Sequence, residues 1–267
     1  MILDNIKIYA SDKKNSYSNI AKKIIEIINE TKAFHISVSE LAKRVGCSQP
    51  TVTRFINIVS NKEGYRIFSI KINKEIKLYF EGELVNGDYV EDQNSIVEDI
   101  KNTFAGITKE NIEGIVETIK GANKINVVSI GGNNSIKFEI EHTLAKIGKF
   151  VMIGYDWHQQ LINIKYMQEN DIVIAISYSG SKGEIISIIN EAKRKNIKII
   201  LITGYFESES KKLADYVLNV YSKDAKFRAF SYSSRVCALA LWNVIFKYLL
   251  MKEELSQDII EAWQWKK

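Results

Sequence analysis

Two kinds of hydrophobic pattern divide the chain at Gly121. Before it, apolar residues recur every three or four positions, which is the spacing of amphipathic helices. After it, short apolar runs alternate with further helical stripes. The runs predict five strands, at Ile125–Ile130, Phe150–Ile153, Ile172–Ile176, Ile197–Ile202 and Tyr216–Val220. The stripes between them predict helices at Ser135–Ile147, His158–Met167, Glu184–Arg194 and Glu209–Leu213. This strict alternation predicts a three-layer α/β/α domain built on a five-stranded parallel sheet.

A last helical stripe, Ser233–Met251, is apolar on nearly every side. A helix of this kind is either deeply buried or part of a subunit interface. Asn243 and Lys247 interrupt it, and no apolar run in the chain approaches the roughly 18 residues that span a bilayer. The sequence therefore predicts no membrane partner.

The first third of the chain has a purely helical pattern. An amphipathic stripe covers Ser18–Glu30, and two shorter helices, Val38–Val45 and Gln49–Val59, follow it. Their predicted caps are Ser37 and Ser48 at the N-termini and Gly46 at the C-terminus of the first. Two short helices joined by a glycine turn predict a helix-turn-helix domain.

In a helix-turn-helix, the second helix enters the DNA major groove, and side chains near its start reach the base edges. Arg54 can pair with guanine and Gln49 with adenine, while nearby basic residues can contact phosphates. The residues predicted to contact DNA are Lys43, Ser48, Gln49, Thr51, Thr53, Arg54 and Arg66. The alternative is an ordinary pair of packed helices with a solvated basic surface.

The charge distribution favours the DNA-binding interpretation. The chain carries a net charge of +5, and its first 85 residues hold 14 Lys and Arg against 9 Asp and Glu. The remaining residues hold 23 of each kind, so the whole excess lies in the first third. A small basic domain beside a neutral one favours a polyanionic partner, here a double-stranded DNA operator.

The segment Glu81–Asn94 is polar and acidic and contains two glycines, a composition typical of a linker. Helical stripes follow it at Ser95–Phe104 and at Lys109–Lys120, which Thr108 caps. The predicted organisation is a DNA-binding domain at 1–80, a linker at 81–94 and an α/β domain at 95–267.

Two turns rich in hydroxyl or amide groups follow buried strands of the α/β domain. Ser177–Lys182 follows the third predicted strand and Gly131–Ser135 the first, and each leads into a helix. Backbone N–H groups converge at such turns beside the positive end of a helix dipole, so both are candidate anion sites. Neither matches a dinucleotide fingerprint or a P-loop, which favours a small phosphorylated metabolite. The alternative is a serine-rich turn that only caps a helix. The residues predicted to hold the anion and its attached group are Asn133, Asn134, Ser135, Ser177, Ser179, Gly180, Ser181, Lys182 and Glu184.

Cysteine and histidine usage indicates no metal or cofactor. Cys47 and Cys237 lie far apart in apolar patterns, as expected of reduced thiols. The three histidines, His35, His142 and His158, lack the spacing of metal ligands. The N-terminus shows no export signal, so we expect a cytoplasmic protein.

Several of these motifs resemble two known domains. Gly131–Ser135 and Ser177–Gly180 resemble the two phosphate loops of the SIS (sugar isomerase) domain. Thr203, at the end of the fourth predicted strand, and the pair Ser234–Arg235, at the start of the last helix, also match the pattern of that domain. The segments Ser37–Ala42, Ser48–Phe55 and Gly64–Phe68 resemble the helix-turn-helix domain of RpiR-type regulators. These bacterial transcription factors join such a domain to an SIS domain.

The resemblance implies a regulator of sugar metabolism that is not an enzyme, forms a homodimer or homotetramer, and senses a phosphorylated sugar through its SIS domain. It assigns the phosphate to Ser135, Ser177, Ser179 and the Gly180 backbone. Asn133 stands where the family has a second glycine, and Lys182 where it has a threonine. These two departures leave the identity of the ligand open.

Two other functions fit the same residues. A sugar-phosphate isomerase or etherase of the SIS fold would need a general base, for which Glu184, His142 and His158 are the candidates. An SIS domain that has lost its ligand and serves only for dimerisation is the second, because Asn133 and Lys182 depart from the phosphate-loop pattern.

Overall fold

The computed structural model describes residues 2–12, 15–81, 89–224, 231–252 and 261. These residues form two compact units, which divide between Glu91 and Asp92. The described part of the first unit is helical, and the second contains a parallel sheet with helices on both faces. The predicted combination of an all-α part and an α/β part is therefore confirmed. The predicted limits of the linker stay a prediction.

Five helices form the described part of the first unit, and their apolar faces close around a core that includes Phe34, Phe55 and Phe68. The helices are α1 (Ile2–Ser11), α2 (Ser18–Thr31), α3 (Val38–Val45), α4 (Gln49–Val59) and α5 (Gly64–Glu81). The bounds predicted for α3 and α4 are confirmed. The hydrophobic pattern does not predict α1 or α5.

Local caps explain why α3 and α4 end where the sequence predicts. Ser37 Oγ accepts a hydrogen bond of 3.1 Å from the Glu40 N–H, and Ser48 Oγ accepts one of 3.3 Å from the Thr51 N–H. Gly46 ends α3 with φ at +74°, a left-handed conformation that costs glycine little.

The second unit contains seven helices and five strands among its described residues. The helices are α6 (Tyr89–Ala105), α7 (Lys109–Lys120), α8 (Asn134–Lys146), α9 (Trp157–Lys165), α10 (Gly183–Arg194), α11 (Glu209–Leu213) and α12 (Ser234–Lys252). The strands are β1 (Ile125–Ser129), β2 (Val151–Ile153), β3 (Ile172–Ile176), β4 (Lys198–Gly204) and β5 (Tyr216–Val220). Helix α6 begins inside the predicted linker, six residues before Ser95. No glycine or proline occurs between Gly87 and the end of α6 at Ala105. The acidic side chains of Glu91 and Asp92 are favourable near the N-terminus of a helix.

The five strands are all parallel and lie in the order β2-β1-β3-β4-β5. Strand β1 pairs with β3 along its whole length, from Ile125 beside Ile172 to Ser129 beside Ile176. Helices α7, α8 and α12 contribute to the core on one face of the sheet, and α9 and α10 to the core on the other. Every side chain of β1 and β3 is buried, which explains their nearly continuous apolar runs.

Helix α12 supplies Trp242 to the core, where its indole N–H donates a hydrogen bond of 2.8 Å to the Thr143 hydroxyl. Its length and apolar composition would also suit a membrane span, but core helices of soluble proteins share both properties. Some of its apolar side chains, Val236, Leu250 and Met251 among them, are exposed on the described chain. The sequence leaves open whether this helix is buried or lies at an interface. In the structure one side of α12 is buried in the core and the other side is exposed.

The two thiols are expected to react at very different rates. Burial raises the pKa of the Cys237 thiol to about 11, so this group stays protonated at pH 8. Cys47 is half-buried, and only a thiolate is a good nucleophile. Titration of the native protein with Ellman's reagent at pH 8 should show one fast thiol, and titration in denaturant should show two. Fast reaction of both thiols in the native protein would contradict the packing of α12.

Candidate functional site

The predicted anion turns lie at the place where the sheet changes its winding direction. Strands β1 and β3 are neighbours, but α8, which follows β1, covers one face of the sheet, while α10, which follows β3, covers the other. Ligands of open parallel sheets bind in the crevice that this arrangement leaves beyond the carboxyl ends of the strands. The turns after β1 and β3 are therefore adjacent in the structure and open onto one crevice.

The serine turn after β3 is anchored to the end of β4. The Ser177 carbonyl accepts hydrogen bonds from the Gly180 N–H at 3.0 Å and from the Thr203 hydroxyl at 2.7 Å. Gly180 has φ at +60°, and the side chain of Ser208, the N-cap of α11, occupies the place that a Cβ of Gly180 would take. Ser177 and Ser179 are buried. The turn is thus a fixed structure and not a loose surface loop.

Helix α10 presents unused donors directly after this turn. Lys182 is its N-cap residue and provides no side-chain cap, and the first backbone bond of the helix runs from the Ile186 N–H to the Lys182 carbonyl. The three preceding amides, of Gly183, Glu184 and Ile185, therefore have no acceptor in the described chain. The Lys182 side chain is exposed and has no acidic partner among the described residues. Unbonded amides and a nearby cation favour an anion at this position.

The turn after β1 is tightened into one turn of 3₁₀ helix, Gly131–Asn133. Asn134 is used inside the protein, because its Oδ1 accepts a hydrogen bond of 2.7 Å from the Ser129 hydroxyl. The Ser135 hydroxyl donates a weak bond of 3.3 Å to the Gly132 carbonyl and is exposed, so it can turn toward a ligand.

A small cavity that opens to solvent lies at the same edge of the sheet, beyond the ends of β3, β4 and β5. Its polar lining residues are Asn133, Tyr178, Thr203 and Ser234, and its apolar ones are Ile136, Ile176, Ile202, Val220 and Ala238. The cavity is on the face of the sheet that α8 and α12 cover, since Ile136, Ser234 and Ala238 of these helices line it. Its enclosed space is about that of one water molecule, so a larger ligand must extend into the open crevice beside it.

The structure brings only one of the nine predicted effector residues, Asn133, to the wall of this cavity. Tyr178 points into the cavity beside Ile176, and the flanking Ser177 and Ser179 do not line it. The predicted serines thus lie at the crevice edge, toward the start of α10.

Sequence reasoning did not place four residues at this site: Tyr178, Thr203, Ser234 and Arg235. Thr203 and Ser234 carry a weak signal, since each is a polar residue at the end of a buried strand or the start of a helix. Arg235 lies against the turn after β1, because a Cβ added to Gly132 would be 3.4 Å from its Nη1. No acidic residue of the described chain pairs with Arg235, which puts a second available cation at the crevice.

The helix-turn-helix surface is formed by α3 and α4. Val52, Phe55 and Ile56 of α4 are buried, and Gln49, Thr53 and Arg54 are exposed on the side away from the core. The Ser48 and Thr51 hydroxyls are 2.8 Å apart and bond to each other, so both help to cap the helix.

The basic residues around this surface fall into two groups. Arg44 pairs with Glu40 at 2.9 Å and Lys71 with Glu63 at 2.6 Å. Lys43, Arg54 and Arg66 are exposed and have no acidic partner among the described residues, so their charge is available to a polyanion. The Tyr65 hydroxyl donates a hydrogen bond to the Ile36 carbonyl, and burial raises its pKa to about 12. This bond joins the start of α5 to the segment that precedes α3.

Comparison with known proteins matches the second unit to one family and the whole chain to regulators. Residues 118–248 match the family model of the SIS domain. An uncharacterised HTH-type transcriptional regulator from Caldanaerobacter subterraneus is 27% identical over 269 residues, which cover 97% of this chain and 93% of the relative.

Two solved structures share the fold. The NanR protein of Vibrio vulnificus, complexed with ManNAc-6P, is 21% identical with a TM-score of 0.64, over 98% of this chain and 96% of NanR. The sugar isomerase domain of an RpiR transcription factor from Sphaerobacter thermophilus is 20% identical with a TM-score of 0.57, over 65% of this chain and 96% of that domain.

Proposed function

Because residues 118–248 match the SIS domain and the whole chain is similar to HTH-type transcriptional regulators, we propose that the protein is an RpiR-type regulator. A phosphorylated sugar binds its second unit and changes the affinity of the protein for an operator. One observation carries the ligand half of this proposal. The serine turn, the unbonded amides of α10 and Lys182 converge on the crevice between β1 and β3. Each of these features favours a phosphate, and the adjoining cavity offers polar side chains beside an apolar wall.

The roles within this site follow from position. The amides that begin α10, together with Lys182, hold the phosphate, and the hydroxyls of Ser177, Ser179 and Ser181 add donors around it. Asn133 and Ser135 of the other turn approach the ligand from the α8 side, and Glu184 accepts from a sugar hydroxyl. NanR carries ManNAc-6P, so this compound is a suitable first candidate among phosphorylated sugars.

The operator half rests on α4. Gln49, Thr53 and Arg54 contact base edges, while Lys43 and Arg66 contact phosphates on either side of the groove. Ser48 and Thr51 contribute mainly through the cap that they form. These roles require double-stranded DNA as the partner. They also explain why the net positive charge of the chain lies in its first third.

A regulatory function is favoured over an enzymatic one by the positions of the candidate bases. His142 and His158 are exposed, and neither lines the cavity in the described chain. Glu184 lies in the first turn of α10, where an acidic side chain is favoured by the helix dipole alone. A general base must reach a proton of the substrate, and neither histidine is placed to do so inside the cavity.

We also propose that the protein acts as a homo-oligomer in the cytoplasm, where its operator is. The exposed apolar residues of α12, including Val236 and Met251, are the surface that favours self-association. Light scattering of the purified protein measures the number of subunits.

The effector half predicts a large thermal stabilisation. A ligand at 100 times its Kd should add about 2.7 kcal/mol, which raises the Tm of a unit of this size by about 5–10 °C. We expect at least one member of a panel of sugar phosphates that includes ManNAc-6P to do so, and the same compound to change binding to DNA from upstream of the gene. Anisotropy of labelled DNA measures the second effect, and the unphosphorylated sugars are the control.

The alternative functions give different outcomes in the same experiments. Turnover of an aldose or ketose phosphate would indicate an isomerase. Absence of a shift across the panel, with DNA binding intact, would indicate an SIS domain that serves only for dimerisation.

A further inference from the structure

Helix α6 is attached to one wall of the ligand cavity through a buried carboxylate. Asp99, near the middle of α6, is almost fully buried. Its Oδ2 accepts hydrogen bonds from the Lys223 N–H at 3.0 Å and from the Ser233 hydroxyl. One helical turn later, the buried Thr103 hydroxyl accepts a bond of 3.1 Å from the Tyr221 N–H. These contacts join α6 to the chain on either side of the connection between β5 and α12.

A second buried carboxylate, Asp224, joins the same chain to the cavity. It accepts hydrogen bonds from the N–H groups of Tyr232 and Ser234 at 3.0 and 3.1 Å. Ser234 lines the cavity. The hydroxyl of Tyr178, which also lines it, donates to the Asp224 carbonyl at 2.7 Å and lies 2.7 Å from the Ser222 hydroxyl.

Both bonds of Asp99 therefore lead to the cavity wall. Ser233 directly precedes Ser234, which lines the cavity, and Lys223 lies between Ser222 and Asp224, which both bond to the Tyr178 hydroxyl. Hydrogen bonds to a buried carboxylate are stronger than those between neutral groups, and such networks have few alternative arrangements. A shift of Ser234 or Tyr178 around a ligand must be followed by Asp99, or the bonds must break.

The N-terminal end of α6 is the end nearer in sequence to the DNA-binding residues. Helix α6 begins at Tyr89, only a short stretch of chain after α5 ends at Glu81. A rigid helix transmits a displacement of its middle to its ends, so a shift at Asp99 also moves the start of α6.

We propose that Asp99 is the positioning residue through which occupancy of the cavity is coupled to operator affinity, by way of its bonds to Ser233 and Lys223. This inference rests on the proposed function. Coupling between distant sites requires one element with two arrangements whose equilibrium both ligands shift. In this proposal the element is α6, and its two arrangements differ in how it packs against the cavity wall. Asp99 contacts neither ligand.

The test compares coupling in the wild type and in Asp99→Asn. The substitution keeps the shape of the side chain and removes the charge that both donors share. The measured quantity is the ratio of operator Kd values with and without the sugar phosphate that raises the Tm of the wild type. A coupling of about 5–150-fold is typical of allosteric proteins. We expect Asp99→Asn to bring the ratio to within about twofold of 1, with the Kd for each ligand alone changed by less than about threefold.

Glu98 provides the matched control. It is the adjacent carboxylate of α6, its partner is the side chain of the same Lys223 at 3.3 Å, and both groups are exposed. Glu98→Gln removes the same charge from the same helix but leaves the buried bonds intact, so the wild-type ratio should persist. A purely structural role of Asp99 would lower the Tm without changing the ratio.

Ser233→Ala removes the hydrogen bond between Ser233 and Asp99 by deleting its donor. This variant replaces Asp99→Asn in the test if Asp99→Asn folds poorly. It should lower the ratio to a similar value, and the double variant should be no lower than either single variant. A wild-type ratio in Asp99→Asn or in Ser233→Ala, or an equal loss in Glu98→Gln, overturns the proposal. A wild type that binds both ligands with a ratio of 1 instead overturns the proposed function itself.

Discussion

Replacement of Gly180 by alanine is expected to destabilise the second unit by about 2–5 kcal/mol and to weaken the response to sugar phosphate. The left-handed conformation of this residue, with φ at +60°, costs a residue with a Cβ about 1–2 kcal/mol. The new Cβ would also be 2.1 Å from the Ser208 Oγ and 2.6 Å from the Ser208 Cβ. Such overlap in a packed site typically costs a further 1–3 kcal/mol. Denaturant unfolding measures the loss of stability directly.

The binding effect follows from the same geometry. Relief of the overlap requires the serine turn or the N-terminus of α11 to move, and the turn is also held by the Thr203 hydroxyl. Because the turn precedes the amides that are to hold the phosphate, we expect the Kd for the sugar phosphate to rise by at least about tenfold, or about 1.4 kcal/mol. The ligand-induced rise in Tm reports it.

Gly183 is the matched control, since it lies three residues later at the start of α10. Its φ is not positive, and a Cβ added there meets nothing within 4 Å. Gly183→Ala should therefore change stability by less than about 1 kcal/mol and preserve the Tm rise. Equal damage from the two substitutions, or a full ligand response in Gly180→Ala, would show that the turn does not hold the ligand.

The elements that the sequence predicts well are those whose cause is local. Strand β3 is buried on both faces, so its residues form an unbroken apolar run with the observed limits. Helices α3, α4 and α7 begin at Ser37, Ser48 and Thr108, each of which caps its own helix. The hydrogen bond of an N-cap joins residues that are three positions apart in the sequence, so it needs no distant partner.

Helix α1 is not predicted because its cause lies far along the chain. Its first amides, of Ile2 and Leu3, donate to the carboxylate of Glu75 at 2.9 and 2.7 Å. Glu75 belongs to α5, and only the folded bundle brings it to this position. A single sequence shows neither the cap nor the core that buries the apolar face of α1.

The site shows the same division between local and distant causes. Hydroxyl-rich turns after buried strands mark the correct edge of the sheet, because parallel strands all end on one side. The face on which the cavity opens depends on α12, which begins more than 50 residues after the serine turn. For this reason Asn133 is predicted to be at the site, whereas Ser234 and Arg235, which the sequence shows only as a match to the SIS pattern, are placed there by the structure.

A second large effect is expected from Arg54→Ala, which should weaken operator binding by about 1–3 kcal/mol, or 5–150-fold. Arg54 is exposed on α4 and has no acidic partner among the described residues, so a base edge can take its guanidinium. Because it supports no contact of the core, stability should change by less than about 0.5 kcal/mol. Anisotropy titrations with operator and with unrelated DNA, at several salt concentrations, measure both affinity and discrimination.

Lys22→Ala is the control that separates the effect of the position of Arg54 on α4 from the effect of losing one positive charge. Lys22 is an exposed cation of the same unit, also without an acidic partner in the described chain, but it belongs to α2 and not to the helix-turn-helix. Each substitution removes one positive charge, so the general attraction to DNA falls equally. A larger loss in Arg54→Ala, confined to operator DNA, follows only if α4 reads bases. Equal losses on operator and unrelated DNA would make Arg54 a phosphate contact, and equal losses in both variants would exclude α4 as the recognition helix.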